Sequence, residues 1–336
     1  MTAASLPARV PAAALPSGYA WRPATLADIP SLGLLVAAYD TAHTGTAAGA
    51  QADIAADLSS GEIDLATGSW VVLDAEGQPA ALGAVYVDVT AREVYTDAYV
   101  LPDGPHASAL AAWVVGRALE RAAVEAATRV GEGWSVGAGC YQHDSVIVGA
   151  LRAAGLSRVR TFLRYAVDHG EARPPVSPEP HSGVVVRRIA SQGDPSHLKD
   201  LRALHHVLDT AFLDHYHPQA RPYAEWLTYQ REASGYDPHQ WWLAEVDGAP
   251  AGGLIGSNRL ADDNRGFVRS LGVLREFRGR GLAKALLRTA FADDIARGRT
   301  ATELGVDSDS PTGATHLYAS VGMRPAFPID YFERAL

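Results

Sequence analysis

Residues 275–287 read REFRGRGLAKALL, with three arginines and two glycines placed before a strongly helical, apolar run. The stretch follows FVRSLGV (267–273), whose apolar and β-branched residues predict a strand. Gly279 and Gly281 can adopt positive φ angles, and they leave neighbouring backbone N–H groups uncovered. Such N–H groups can converge on an anion. The pattern therefore predicts either an anion cradle between a strand and a helix or a solvated turn before an ordinary helix.

The anion that best fits such a cradle is a pyrophosphate. A helix predicted to begin near Leu282 offers unpaired N–H donors and the positive end of its dipole. Arg278 and Arg280 can add charge-assisted hydrogen bonds to phosphate oxygens. The pattern is not the dinucleotide fingerprint G-x-G-x-x-G/A, because Lys284 occupies the position of its last small residue. The P-loop pattern is also absent from the sequence.

The composition of the 336 residues excludes several classes of protein. The length favours two domains. A formal charge of -9 argues against a nucleic-acid partner, which would need a basic surface. The single cysteine, Cys140, cannot form an internal disulfide, and it fits a reducing cytoplasm. The histidines show no zinc-ligand spacing, so we expect no bound metal.

The apolar stretches of the sequence do not predict a membrane protein. The most apolar helical stretch, 107–119, is too short to span a bilayer and carries Arg117 near its end. Residues 1–18 are rich in alanine and proline and lack the apolar core of a signal peptide, so we expect a disordered lead-in. We therefore predict a cytoplasmic protein, a monomer or a homodimer, that does not contact a membrane.

The two halves of the chain share a pattern. WVVLDAEGQPAALGAVY (70–86) and WLAEVDGAPAGGLIGS (242–257) each read as a strand, an acidic-glycine turn and a second strand. Between the halves, residues 169–183 are rich in proline and polar residues and read as an extended spacer. We therefore predict one α/β (α+β) fold used twice, with an N-terminal domain over 19–168 and a C-terminal domain over 184–336.

Two motifs of the second half, in this order, carry a family resemblance. Residues 278–283 follow R-x-x-G-x-A directly after a predicted strand. Residues 304–325, LGVDSDSPTGATHLYASVGMRP, predict a strand, a loop and a helix that ends in Leu-Tyr and then Gly-Met. Both motifs resemble those of the GNAT superfamily of acyl-CoA-dependent N-acetyltransferases. The resemblance implies two tandem GNAT-like domains, each a mixed, mostly antiparallel sheet flanked by helices, in a layout similar to that of mycothiol synthases.

The resemblance also implies roles for residues of the second half. Acetyl-CoA would be the acyl donor, and its pantetheine arm would pair with the backbone of Leu271, Gly272 and Val273, as an added strand pairs with a sheet edge. The residues that would hold its pyrophosphate are Arg278, Gly279, Arg280, Gly281, Leu282 and Ala283. Tyr318 would lie near the thioester sulfur, where a phenol can donate a proton to the leaving thiolate.

The sequence departs from the superfamily pattern at the cofactor arm. Ser310 stands where members often have asparagine, and a serine can still form the hydrogen bond. The strand 267–273 also lacks the carboxylate that many members use as a base.

The incoming ammonium must lose a proton before it attacks, and the sequence leaves several bases open. The candidates are Asp307, Glu303, Asp214 and His215. The last two, with Tyr216, lie in AFLDHYHPQARPYAEW (211–226), which would form either the acceptor site or an exposed loop.

The first half of the chain lacks the arginine-glycine loop and the tyrosine of the second half. At the position of the cradle it reads LPDGPHASAL (101–110), which has no arginine, and Asp103 would repel phosphate. If Gly155 is aligned with Gly322, Leu151 stands at the position of the catalytic tyrosine. We therefore predict a degenerate copy that keeps the fold and has lost the chemistry.

These observations predict an N-acetyltransferase that uses acetyl-CoA to acetylate a primary amine of a small molecule by direct attack. Two alternatives stay open. A non-catalytic acyl-CoA-binding or interaction protein would bind the donor without turnover. A transferase that uses another acyl-CoA or a protein amine would need a wider cleft.

Overall fold

The computed structural model divides the chain into two compact units. The residues that it describes are 14–47, 49–89, 91–170, 183–214, 221–309 and 314–336. Unit 1 contains Met1–Thr161 and Pro328–Leu336, and unit 2 contains Phe162–Phe327. Most of the predicted lead-in (1–18) and most of the predicted linker (169–183) lie outside the described residues.

Unit 1 is built from five helices and the strands between them, counted over its described residues. The helices are α1 (Ile29–Thr44), α2 (Ala50–Ser59), α3 (Leu65–Gly68), α4 (Ala107–Thr128) and α5 (Ser145–Ala153). The strands are β1 (Ala20–Arg22), β2 (Ser69–Leu73), β3 (Pro79–Asp88), β4 (Glu93–Val100), β5 (Ser135–Tyr141) and the first part of β6 (Ser157–Asp168).

Unit 2 repeats this succession of elements after β6. Its helices are α6 (His197–Ala211), α7 (Tyr223–Glu232), α8 (Leu282–Ala296) and α9 (Ala314–Ser320). Its strands are β7 (Val184–Arg188), β8 (Trp241–Val246), β9 (Ala249–Ser257), β10 (Arg265–Val273), β11 (Ala301–Asp307) and the first part of β12 (Arg324–Ala335).

The sheets of the two units have the same topology. In unit 1, β1 to β4 pair antiparallel in chain order, and β4 pairs parallel with β5. In unit 2, β7 to β10 pair antiparallel in chain order, and β10 pairs parallel with β11. Successive side chains of a strand point to opposite faces, so each sheet can bury both faces under helices. Helices α4 and α5 cover one face of the first sheet, and α1 and α2 cover the other.

The second sheet is covered in the same way. Helices α8 and α9 pack on one face, in a core built around Leu286, Leu287 and Phe291. Helices α6 and α7 pack on the other, around Leu204 and Trp241. This is the mixed, mostly antiparallel sheet flanked by helices that the sequence predicts for each repeat.

The closing strand of each sheet comes from the other half of the chain. Residues 329–335 of β12 pair antiparallel with β5 in unit 1, and residues 162–168 of β6 pair antiparallel with β11 in unit 2. The predicted domains 19–168 and 184–336 instead assign all of β6 to the N-terminal domain and all of β12 to the C-terminal domain. The boundaries differ because a strand carries no local sequence signal for which of two similar strands it will pair with.

Candidate active site

Strands β10 and β11 separate in the middle of the second sheet. They pair only over residues 265–268 and 301–304. Strand β10 continues to Val273 in contact with β9, and a bulge at Arg269 shifts its register. In the described part of the chain no strand pairs with the other edge of residues 269–273. The backbone groups on this edge therefore face a wedge between the two strands.

A cavity of about 480 Å³ lies in this wedge. Its walls come from β10, β11, the loop before α8, and α9. The predicted site residues that line it are Leu271, Gly272, Val273, Arg278, Gly279, Gly281, Leu282, Ala283, Asp307 and Tyr318. The fold thus brings together the residues of both sequence motifs in one place.

The remaining predicted residues lie beside the cavity or outside the described residues. Arg280 is exposed, and its guanidinium carbon lies 5.5 Å from the centroid of the Phe277 ring. Asp214 ends a short 3₁₀ turn that follows α6. His215, Tyr216 and Ser310 are outside the described residues.

Several residues that line the cavity were not predicted as site residues, among them Phe162, Arg269 and Lys284. Phe162 belongs to β6, far from the motifs in sequence, and only the strand exchange brings it to the site. Arg269 is the extra residue of the bulge, so strand alternation alone could not assign its direction. Lys284 lies in the first turn of α8 and could have been predicted from its distance to the loop.

The loop before α8 has the geometry of an anion cradle. Gly279 and Gly281 have φ angles of 79° and 80°, and a Cβ atom at either would meet nothing within 4 Å, so the torsion angle is what favours glycine. Gly281 is the N-cap of α8, and the first N–H groups of the helix have no acceptor within it. Arg278 donates from Nε to the Val273 carbonyl at 3.1 Å and so ties the loop to the end of β10.

Tyr318 is the phenol at the cavity. It lies on α9, is 8% exposed, and its ring centroid is 5.4 Å from that of Tyr165 on β6. Burial, with a smaller contribution from Tyr165, raises the pKa of Tyr318 to about 12. The hydroxyl therefore keeps its proton at neutral pH and can act as a donor.

The two predicted carboxylates of β11 have different surroundings. Glu303 is buried and forms an ion pair with Arg265, whose Nε lies 2.6 Å from its Oε1. Arg164 lies 3.9 Å from its other oxygen. Asp307 lines the cavity, and its Oδ1 accepts a hydrogen bond from the backbone N–H of Asp309. Of these two carboxylates, Asp307 is the one that lines the cavity.

The corresponding loop of unit 1 has a different character. Helix α4 follows His106, which has a φ of 60° and replaces the glycine found before α8. Asp103 is exposed in this loop. Leu151, at the predicted position of the tyrosine, is 1% exposed and belongs to the apolar core. These residues offer a phosphate no cationic side chain.

The described residues contain no group of three or more histidine, cysteine, aspartate and glutamate side chains that could hold a metal ion. Over the same residues, no helix combines the length and the apolar character needed to cross a membrane.

Comparison with known proteins assigns the second unit to a family. Residues 201–323 match the model of the acetyltransferase (GNAT) family. The matched residues lie within unit 2. The chain is 39% identical over 75 residues to the acetyltransferase YE1169 of Yersinia enterocolitica, and 40% identical over 75 residues to the acetyltransferase plu1384 of Photorhabdus laumondii. The match covers 22% of this chain, and the chain spans about half the length of these curated relatives.

Solved structures resemble the chain over both halves. A GCN5-related N-acetyltransferase from Sphaerobacter thermophilus has a TM-score of 0.79 and 25% identity, covering 96% of this chain and 97% of that one. A tandem GNAT protein from the clavulanic acid biosynthesis pathway has a TM-score of 0.65 and 18% identity, covering 94% and 98%. The predicted family resemblance and the predicted fold class, two tandem GNAT-like domains, are confirmed. The narrower resemblance to mycothiol synthases stays a prediction.

Proposed function

We propose that the GNAT domain of unit 2 transfers the acetyl group of acetyl-CoA to a primary amine of a small molecule by direct attack. One observation carries the proposal: the glycine-arginine loop, the unpaired edge of β10 and the buried Tyr318 all face one cavity. Each of these parts matches a different part of the donor, namely the pyrophosphate, the pantetheine arm and the thioester.

The donor would be held mainly by backbone groups. The N–H groups of residues 279–283 would bind the pyrophosphate at the start of α8, with Arg278 and Arg280 adding charge-assisted bonds. The free edge of Leu271 to Val273 would pair with the amides of the pantetheine arm. Ser310 would contact the same arm. This arrangement leaves the thioester at the end of the wedge, near α9.

The chemistry would need one proton acceptor and one proton donor. Asp307 would take a proton from the incoming ammonium, directly or through water. The free amine would then attack the thioester carbon, forming the C–N bond and, through a tetrahedral intermediate, breaking the C–S bond. Tyr318 would donate its proton to the departing thiolate, and its raised pKa keeps that proton available at neutral pH.

We place this activity in the cytoplasm, in a monomer or homodimer that needs neither a metal nor a nucleic acid. The single cysteine supports the location, because it is buried and burial raises the pKa of the Cys140 thiol to about 12. A thiol of this kind is inert. It fits a compartment in which cysteines are not used for disulfides.

Calorimetric titration with acetyl-CoA tests the proposal. The wild type should bind one equivalent per chain, and Arg278→Ala/Arg280→Ala should bind about 10- to 100-fold more weakly, because two charge-assisted bonds to phosphate are lost. The control is Arg324→Ala, which removes an exposed arginine of the same unit and should bind like the wild type.

Other outcomes of this titration would point elsewhere. No binding would contradict the transferase, and two equivalents would show that unit 1 also binds the donor. Binding with no acetyl transfer to any amine of a broad panel would indicate an acyl-CoA-binding protein instead.

A further inference from the structure

Arginines gather on the face of the second sheet that α6 and α7 cover. Along β10, Gly266 and Val268 face α8, since a Cβ on Gly266 would meet Asp294 of that helix and Val268 belongs to its core. Arg265 and Phe267 alternate with them and therefore point to the opposite face. This is the face on which an acceptor could approach the wedge without displacing α8.

Two guanidinium groups lie near the Phe267 ring. The guanidinium carbons of Arg164 and Arg259 lie 4.9 and 4.8 Å from the centroid of its ring. The Arg164 side chain is only 16% exposed, and it also lies 3.9 Å from Glu303. Cations that stack on an aromatic ring keep their planar N–H donors directed away from the ring.

A second ring on this face repeats the arrangement. Tyr229 of α7 has the guanidinium carbon of Arg221 at 4.2 Å from its ring centroid and that of Arg269 at 5.5 Å. Cationic groups gathered near one ring favour an anion bound beside them. A carboxylate or phosphate would also accept paired N–H bonds from such groups.

Arg269 belongs both to this group of arginines and to the wall of the cavity. It lines the cavity, and as the extra residue of the bulge it is directed out of the regular alternation of β10. Arg269 is therefore a cation at the cavity wall that can accept an anionic ligand.

We propose that the amine acceptor carries an oxyanion, a carboxylate or a phosphate, which Arg269 and its arginine neighbours bind while the amine reaches the wedge. This inference rests on the proposed function and names the class of its acceptor. It differs from what the net charge of -9 suggests by itself, which is a cationic substrate. The local side chains outweigh the net charge because distant surface charges are screened by salt.

The test uses anions that lack an amine, so that it does not depend on knowing the acceptor. The protein is first saturated with CoA, which fills the pyrophosphate cradle. Succinate and inorganic phosphate are then titrated into the wild type, Arg269→Ala, Arg269→Lys and the control Arg324→Ala. We expect one of the two probes to bind the wild type and the control with equal affinity. Its affinity for Arg269→Ala should be at least tenfold lower, and its affinity for Arg269→Lys should lie between these two values. Which probe binds decides between a carboxylate and a phosphate.

Two results would overturn the proposal while the proposed function stands: neither probe binds the CoA-loaded wild type, or Arg269→Ala binds the probe as well as the wild type does. If the wild type does not bind CoA in the first step, the proposed function and this inference fail together.

Discussion

In each unit, the two parallel strands of the sheet stop pairing part-way along their length and leave a wedge. Different side chains lie at this wedge in the two units. In unit 1, β4 and β5 pair only over residues 93–96 and 135–138, as β10 and β11 do in unit 2. The wedge of unit 2 is a cavity. In unit 1, the Tyr39 ring lies 5.4 Å from that of Tyr99 on β4 and 5.6 Å from that of Tyr141 on β5. An aromatic cluster thus lies at the separated ends of β4 and β5.

The bulge marks a second difference between the units. Strand β4 pairs with β3 in unbroken register, from Ala81 and Val100 to Asp88 and Glu93. Strand β10 has the bulge at Arg269. The comparison teaches that the sheet and its helices need neither the bulge nor the glycine loop to fold. Both features lie beside the cavity of unit 2, whereas β4 has no bulge against β3 and His106 precedes α4 in unit 1.

The largest effect that the comparison predicts is on catalysis at Tyr318. Tyr318→Phe should lower kcat about 100- to 1,000-fold, because general acid catalysis contributes that much and phenylalanine cannot donate a proton. The affinity for acetyl-CoA should stay within about threefold of the wild type. Steady-state kinetics and calorimetry measure both quantities. Tyr165→Phe, which removes the neighbouring hydroxyl, is the control, and a normal kcat in Tyr318→Phe would contradict the assigned role.

The next effect concerns the stability of unit 1. Asp144 is fully buried, accepts a hydrogen bond from the Tyr39 hydroxyl at 2.7 Å, and caps α5 through the N–H groups of Val146 and Ile147. Asp144→Ala should therefore lower the free energy of unfolding by about 2–4 kcal/mol, measured in urea.

The control for this change is Asp64→Ala. Asp64 caps α3 by a similar hydrogen bond at an exposed position, so this substitution should lower the free energy of unfolding by about 1 kcal/mol or less. Acetyl-CoA binding should be unchanged in both variants. Weaker binding in the folded Asp144→Ala variant would mean that unit 1 takes part in binding the donor.

A smaller effect is expected at Gly281, where a matched control distinguishes backbone strain from loss of the ligand-binding conformation. Gly281→Val forces a β-branched residue to a φ of 80° and should cost about 1–2 kcal/mol of stability. It should also weaken acetyl-CoA binding about tenfold, because the cradle is displaced. Gly77→Val is a matched control in unit 1, with a φ of 76° and no atom within 4 Å of the new Cβ. Equal loss of binding in both variants would show that strain, rather than the cradle, causes the effect.

The smallest predicted effect depends on pH. Burial raises the pKa of Asp97 in unit 1 to about 6. The folded state then holds a proton that the unfolded state has lost, so stability falls as the pH rises from about 4 to about 6 and stays lower above that. Asp97→Asn should recover about 1–2 kcal/mol at pH 7.5 and almost nothing at pH 4, measured by urea unfolding. The exposed Asp103→Asn should show no such gain, and a gain that is equal at both pH values would rule out ionisation as its cause.

Local sequence predicted the conformation of the loop before α8, because that conformation is set within a few residues. Gly279 and Gly281 have the positive φ angles that their sequence context predicts, and α8 begins at Leu282 as expected. Tyr318 could be located because it follows a strand and a loop within one short motif. The neighbouring elements on the chain are also neighbours in space, so few alternatives exist for such a segment.

Residues that reach the site from a distance were not predictable in the same way. Phe162 lines the cavity only because 162–168 pair with β11, and no short-range pattern distinguishes that pairing from one within unit 1. Arg269 reaches the cavity through a bulge, and a bulge breaks the alternation on which a strand prediction depends. The role of Glu303 was equally open, because its ion pair with Arg265 links two strands.

By itself, the sequence determined the repeat, the alternation of strands and helices, and the glycine turn before α8. These follow from hydrophobic periodicity and from the φ angles that glycine allows, both of which act over a few residues. Only the tertiary structure decided which half completes each sheet and which side chains from distant segments line the cavity of unit 2. Those outcomes depend on pairing and packing between segments far apart on the chain, where many arrangements have similar local energies and the assembled core selects one.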